Sequence, residues 1–147
     1  MSAHYALIPL EPIEPAWLVK MGLVIPENYE NSRNPTAAEV RSVVRQIADE
    51  NVVELRSDFC VAGDDLDAIL VAGEDDTFLS VGDYAKDHNE DTPRHISFTY
   101  GSAELVLTVC ERLAQLCGPF LLTMDGAFFV IVSAGIPPNA DWVSADF

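Results

Sequence analysis

Carboxylate side chains are the groups of this sequence best placed to do chemistry, and they are concentrated in one part of the chain. Between Asp58 and Asp91 there are eleven acidic residues and one basic residue, Lys86. The acidic residues are Asp58, Asp64, Asp65, Asp67, Glu74, Asp75, Asp76, Asp83, Asp87, Glu90 and Asp91. Like charges at this density repel one another in a compact protein, so the stretch indicates a use such as solubility or the binding of a positively charged partner.

A hard metal ion is the second chemistry that these carboxylates suggest, because Ca²⁺ and Mg²⁺ prefer several oxygen ligands. The cluster of Asp64, Asp65 and Asp67, with Glu74 to Asp76 nearby, lacks the alternating acids, central glycine and final glutamate of an EF-hand loop. We therefore expect no metal site. The remaining interpretations are a solvated acidic face and a surface that binds a protein.

The residues that usually act in catalysis show no motif. His4, His88 and His95 share no spacing with one another or with a cysteine that would indicate a ligand motif. Ser102 follows a glycine, but the G-x-S-x-G sequence of serine hydrolases is absent and a helix N-cap explains this serine. Walker A and G-x-G-x-x-G sequences are also absent. We therefore assign no catalytic residue and expect no cofactor.

The composition is that of a folded acidic protein. At 147 residues the chain has the size of one domain, and we expect a single domain over residues 1–147. The hydrophobic share of 49% is ordinary for a globular protein, so the net charge of −16 comes from an imbalance of sign. This charge repels the phosphates of nucleic acids and anionic membranes, and we expect neither as a partner.

The sequence shows no sign of export or of membrane insertion. The first ten residues lack a basic segment, and no apolar stretch approaches the roughly 18 to 20 residues of a membrane span. Cys60, Cys110 and Cys117 are too few, and odd in number, for a disulfide framework, which fits a reducing compartment. We therefore expect a cytoplasmic protein whose three thiols are reduced.

The first of two predicted amphipathic helices covers residues 35 to 50. Its start is marked either by a capping box of Thr36 and Glu39 or by Asn34 as the cap with Pro35 after it. Apolar residues then recur with helical spacing, so one face needs a sheet or another helix to cover it. The apolar positions are Val40, Val43, Val44, Ile47 and Ala48.

The second predicted helix covers residues 102 to 117. Ser102 is a suitable N-cap, and Gly118 followed by proline marks the end, because glycine accepts the left-handed conformation and proline cannot continue a helix. The apolar face is broad and includes Cys110 and Cys117. We expect both thiols to be buried as small hydrophobic side chains.

Several short runs favour strands. The clearest are Val52 to Arg56, Leu66 to Ala72, Thr77 to Gly82, His95 to Tyr100, Phe120 to Met124 and Ala127 to Val132. Asp125-Gly126 is a strong signal for a tight hairpin, and Gly73 to Asp76 predicts a second hairpin with an acidic tip. The continuous apolar run from Phe128 to Val132 predicts a central strand that is covered on both faces.

The two ends of the chain are less marked. Tyr5 to Leu10 suggests a strand, and Trp17 to Val24 fits either a short helix or a strand. Trp142 and Phe147 are candidate anchors for the tail. Taken together, the segments predict an α+β fold in which two amphipathic helices pack on one face of a mainly antiparallel sheet. The order of the strands does not follow from the sequence.

The acidic stretch supplies the candidate binding surface. We expect Asp64, Asp65 and Asp67 to form it with the turn Glu74-Asp75-Asp76, steering and pairing with a basic protein. Tyr84, between Asp83 and Asp87, is a candidate aromatic anchor, since aromatic contacts supply much of the affinity at protein interfaces. The alternative is that Tyr84 caps the edge of the sheet.

In size, charge and α+β class the chain resembles the small acidic immunity proteins that neutralise bacterial toxins. The resemblance rests on no motif and implies a role, namely masking a basic surface such as the active site of a toxin that acts on phosphates. Two alternatives stay open. One is a small hydrolase or transferase with a site that no motif reveals, and the other is a structural or assembly subunit that forms a homodimer through its apolar N-terminal segment.

Overall fold

The computed structural model describes residues 3–144 of the chain. The strands are β1 (His4–Pro9), β2 (Glu54–Ala62), β3 (Asp65–Ala72), β4 (Asp75–Val81), β5 (Ile96–Thr99), β6 (Phe120–Met124), β7 (Phe128–Val132) and β8 (Val143–Ser144). The helices are α1 (Pro15–Lys20), α2 (Ala37–Asp49) and α3 (Ala103–Cys117), with short 3₁₀ turns at Tyr29–Asn31 and Tyr84–Lys86. All strands pair antiparallel in one sheet, in the order β2-β3-β4-β5-β1-β6-β7-β8. The predicted α+β class is confirmed, and residues 3–144 form one domain.

Helix α2 begins with the predicted capping box. The Thr36 hydroxyl accepts the backbone N–H of Glu39 at 3.2 Å, and the Glu39 carboxylate accepts the N–H of Thr36 at 3.0 Å. The alternative start with Asn34 as cap is therefore wrong, because this box satisfies two free N–H groups at once. Arg33 holds the same carboxylate at 2.7 Å, and its hydrogen bond lowers the pKa of Glu39 to about 2. The helix ends just before Asn51, which has a φ of 61°.

Helix α3 has the predicted cap and the predicted end. The Ser102 hydroxyl accepts the N–H of Leu105 at 3.1 Å. Gly118 follows the last helical residue with a φ of 85°, and a Cβ atom there would lie 2.9 Å from the Asn31 carbonyl oxygen. Both the left-handed backbone and the close approach require glycine at this position. Within residues 3–144, no helix is both long and apolar enough to cross a membrane.

Helices α2 and α3 cover one face of the sheet, as predicted. The main core joins Val40, Val44 and Ile47 of α2 to the apolar face of α3 and to the strands beneath. The strand residues of this core include Leu7, Leu70, Leu79, Phe98, Leu122 and Val130. Cys110 and Cys117 are buried in it, and all three cysteines are free thiols, which confirms the prediction for the cysteines.

Helix α1 lies on the opposite face, over β6 and β7. Leu18 is fully buried there with Leu121 and Phe129, and Trp17 meets the Phe129 ring edge-on with 5.4 Å between ring centroids. Strand β7 is therefore covered on both faces, as predicted. It is not central, because its outer neighbour β8 has only two residues. Its continuous apolar sequence reflects a helix on each face and not a place in the middle of the sheet.

Strand β2 is longer than predicted and forms an edge of the sheet. It runs from Glu54 to Ala62, whereas the sequence predicted a strand from Val52 to Arg56. An edge strand keeps polar residues because one side meets water. Its pairing with β3 shifts at two places, and at the second the Asp58 carboxylate accepts the N–H of Phe59 at 2.8 Å. This irregular pairing disfavours the addition of another strand at the β2 edge of the sheet.

The β3–β4 hairpin has a shorter turn than predicted. Only Gly73 and Glu74 form the turn, and Gly73 has a φ of 63°. Asp75 and Asp76 belong to β4, where they pair with Ala72 and Val71. The two aspartates therefore have fixed positions on a strand, and only Glu74 projects at the tip.

The N-terminal segment supplies a strand in the interior of the sheet. Strand β1 lies between β5 and β6, so it joins the hairpins of the two halves. The tail returns to this region, where Trp142 packs against Tyr5 with 6.4 Å between ring centroids. Trp142 is thus an anchor, while Phe147 lies outside the described residues.

Candidate functional site

The candidate acidic residues lie at the two ends of β3. The first acidic cluster lies at the start of β3 and after β4, and it comprises Asp64, Asp65, Asp67, Asp83 and Asp87. The second acidic cluster lies at the other end of β3 and comprises Glu74, Asp75 and Asp76. Since a strand rises by about 3.3 Å per residue, the eight residues of β3 separate the clusters by about 20 Å. The predicted single acidic surface is therefore two separate acidic clusters.

Backbone contacts hold the first acidic cluster together. The Asp65 carboxylate accepts the N–H of Asp83 at 3.1 Å, and the Asp64 carbonyl accepts the N–H of Ala85 at 3.0 Å. These bonds fix the 3₁₀ turn against the β2–β3 turn. Lys86 on that turn forms an ion pair with Asp83 at 3.1 Å. The Asp64 side chain is exposed, and within residues 3–144 it has no ion pair or hydrogen bond.

Asp67 belongs to the interior. Its side chain points to the face of the sheet opposite α2 and α3, yet the residue is only 6% exposed and accepts the Ser80 hydroxyl at 2.8 Å. Burial raises the pKa of this carboxyl above its usual range, and the charge of nearby Asp65 raises it further. Such a group contributes little to a surface field, so Asp67 has a structural position within the first acidic cluster.

Tyr84 lies inside a stack of rings and guanidinium groups. The residue is 8% exposed and belongs to the main core. The His88 ring lies parallel to the Tyr84 ring at 5.3 Å, and the guanidinium groups of Arg94 and Arg41 lie 5.5 and 5.8 Å from its centroid. A partner could reach only a small part of this ring. The ring therefore supports the segment between β4 and β5.

Arg94 is the buried cation that orders this segment, and sequence reasoning missed it. Its side chain is 4% exposed, and it donates hydrogen bonds to the carbonyl oxygens of Asp83 and Asn89, both at 2.9 Å. It also pairs with the Asp87 carboxylate. The N–H of Asn89 and this guanidinium lower the pKa of Asp87. The residue lies three positions beyond the acidic stretch, and nothing in the sequence signals its burial.

The second acidic cluster is tied to helix α3. The Asp75 carboxylate accepts both the backbone N–H and the hydroxyl of Ser102, the N-cap residue, so a negative charge lies at the positive end of the helix dipole. Asp76 forms an ion pair with Arg56 at 3.1 Å. Glu74 is exposed, and in the part of the chain that the structure describes it has no such partner. Sequence reasoning identified the cap and missed its contact with Asp75.

Most basic side chains form ion pairs with carboxylates of the same molecule. Seven of the eight basic residues lie in ion pairs with carboxylates, at nitrogen–oxygen distances of 3.7 Å or less. The pairs are Arg33–Glu39, Arg41–Glu90, Arg45–Asp58, Arg56–Asp76, Lys86–Asp83, Arg94–Asp87 and Arg112–Glu50. Because the cations are dispersed in this way, the excess charge that faces solvent is negative.

The groups used in metal binding and catalysis are scattered. Within residues 3–144, no three histidine, cysteine, aspartate or glutamate side chains are arranged to hold a metal ion. His4, His88 and His95 are all exposed and lie on different segments. Burial raises the pKa of the Cys110 thiol strongly and that of Cys117 to about 11, which disfavours the nucleophilic thiolate form of both.

No protein-family model matches the chain, and no curated protein or solved structure is significantly similar to it.

Proposed function

We propose that this protein is an acidic binding protein that masks a basic surface of another protein, in the manner of an immunity protein that neutralises a bacterial toxin. The observation that carries the proposal is the pairing of the cations. Seven of eight basic residues are engaged with carboxylates, so the net charge of −16 is expressed as exposed acid with little opposing charge. A field of one sign steers a partner of the opposite sign and accelerates association.

The residues that contribute differ in role. Asp64 and Glu74 are exposed and form no ion pair or side-chain hydrogen bond among residues 3–144, so their carboxylates are available to steer and to pair, although the Asp64 charge also acts on nearby Lys86. Asp65, Asp75, Asp76, Asp83 and Asp87 also hold the fold, and their charges add to the field. Asp67 and Tyr84 support this surface from beneath.

The surface charge bears on the class of partner, and the free thiols bear on the compartment. An acidic surface of this kind repels nucleic-acid phosphates and anionic lipids, so the proposed partner is a protein. Three free thiols, one of them exposed at Cys60, fit a reducing environment, and we propose a cytoplasmic location.

Affinity capture from the native source tests the proposal. The immobilised protein should retain a basic protein at low salt and release it as the salt concentration rises, because screening weakens the attraction. Co-expression should then restore growth to cells in which the captured protein is toxic. A captured partner that is acidic, or binding that does not change with salt, would contradict an electrostatic role.

Surface plasmon resonance with the captured protein then tests the residues. Neutralising Asp64 and Glu74 together, as Asp64→Asn and Glu74→Gln, should slow association by about threefold at low salt and leave dissociation unchanged. The matched control is the pair Glu27→Gln and Glu30→Gln, two exposed acids in the segment between α1 and α2. Equal effects of the two pairs would show that the net charge acts and that the clusters have no special role.

A second function is favoured by one observation on the other face. Val19 and Val24, on and after α1, are 64% and 86% exposed, which suits an assembly subunit that pairs through its N-terminal segment. Sedimentation at several concentrations tests this. A concentration-dependent dimer that Val24→Asp abolishes would favour this function, whereas a monomer at all concentrations would exclude it.

A further inference from the structure

A groove lies beside the second acidic cluster, between the end of α2 and the start of α3. It consists of two adjoining cavities of about 520 and 310 Å³. Val52, Val53 and Ala72 line both cavities and form the apolar floor that the two cavities share. We call this feature the hairpin groove, because the end of the β3–β4 hairpin forms one side of it.

The hairpin groove combines an apolar floor with an acidic rim. The floor includes Val52, which is 39% exposed and therefore available for contact. The ionisable residues that line the two cavities are Glu54, Asp75 and Glu104, and all three are acids. The cations closest in sequence along β2 and α3 are Arg56 and Arg112, which are paired with Asp76 and Glu50.

A larger cavity elsewhere lacks this pattern. It has a volume of about 680 Å³ and lies on the outer side of α2. Arg41 and Arg45 line it together with Asp49, Glu50 and Glu90, so charges of both signs face the same space. Such a surface favours neither sign of charge in a partner, whereas, within residues 3–144, the only ionisable residues that line the hairpin groove are acids.

We propose that the hairpin groove receives a segment of the protein partner in which lysine or arginine residues adjoin apolar ones. Lysine and arginine have long aliphatic stems that pack on apolar surface while the charged end reaches outward. A stem on Val52 and Ala72 would place its cation at the rim formed by Glu54, Asp75 and Glu104. The inference rests on the proposed function and assigns the contact to the second end of β3.

NMR titration tests the site directly. The probe is a synthetic peptide of alternating lysine and leucine with blocked ends, added to the ¹⁵N-labelled full chain at low salt. The amide signals of Val52, Ala72 and Leu105 should shift and saturate together. A peptide with glutamate in place of lysine should produce no shifts, because the rim repels it.

Two double variants with the same change in net charge separate the groove from the general field. Glu54→Lys with Glu104→Lys should weaken peptide binding by about tenfold, whereas Asp64→Lys with Asp91→Lys, at two exposed acids that do not line the groove, should weaken it by less than about threefold. Val52→Arg provides a third variant at an exposed floor position, and it should weaken binding without altering the helix cap. The dispersion of the amide spectrum reports whether each variant is folded.

The outcomes separate the two proposals. Shifts centred on Asp64 and Asp83, or equal losses from the two double variants, would overturn the hairpin groove as the docking site and leave the proposed function in place. Absence of any shift with the lysine peptide at low salt would overturn both. Saturable shifts at the groove that the groove variants alone weaken would support the inference.

Discussion

Replacement of Arg94 by methionine should loosen the segment between β4 and β5. Methionine keeps much of the aliphatic length but has no donor, so the carbonyl oxygens of Asp83 and Asn89 lose hydrogen bonds that are both 2.9 Å long. Two bonds at about 1 to 1.5 kcal/mol each predict a loss of about 2 to 3 kcal/mol in the free energy of unfolding. The ion pair with Asp87 adds nothing to this sum, because that carboxylate is 51% exposed and regains water.

Urea denaturation at neutral pH measures this loss, and Arg45→Met is the matched control. It removes the same charge from a side chain that is 56% exposed and that pairs with Asp58 at 3.7 Å. An exposed pair of this kind contributes at most about 0.5 kcal/mol. Equal destabilisation by Arg94→Met and Arg45→Met would refute the structural role of the buried guanidinium, because both variants change the net charge equally.

Three further predictions concern ionisable groups. Glu39→Gln should lower the free energy of unfolding by on the order of 1 kcal/mol at neutral pH. The difference between the two proteins should vanish as the pH falls from about 4.5 to about 2, because the pKa of Glu39 is depressed in the folded state. Urea titrations across this pH range measure the difference. Asp67→Asn should stabilise the protein at neutral pH, because the pKa of Asp67 is raised in the folded state and its ionisation therefore costs stability as the pH rises. If the variant were more stable than the wild type by the same amount at a pH below the ordinary pKa of aspartate, this reasoning would be contradicted. A thiol reagent should label Cys60 alone in the native protein and all three cysteines in urea, because Cys110 and Cys117 are buried; labelling of either buried thiol before unfolding would argue against the packing of α3.

The helices could be predicted because their signals are local. Thr36 and Glu39 lie one helical turn apart, and the side chain of each accepts a hydrogen bond from the backbone N–H of the other. Ser102 likewise caps the helix that follows it. The Asp125-Gly126 turn is equally local, since both residues have positive φ, at 55° and 68°. Each of these features depends on residues within a few positions of one another.

The order of the strands and the shape of the candidate site depend on distant residues. A single acidic surface would require Asp64 and Glu74 to lie together. They lie apart because the extended strand β3 runs between them. The partner of Asp75 is Ser102, 27 positions away, and no spacing rule connects the two. The acidic character of the surface followed from composition, while its division followed from the register of the sheet.

The interior place of β1 bears on how the chain folds, because both of its partners are distant in sequence. Tyr5 pairs with Phe98 on one side and with Met124 on the other, so β1 pairs with strands that come much later in the sequence. The β2–β3–β4 meander needs only neighbouring residues and can form earlier. Non-local pairing slows folding, and until β1 is paired the two halves of the sheet have exposed edges facing each other. We therefore expect pairing of β1 to be a late step that joins the two halves of the sheet.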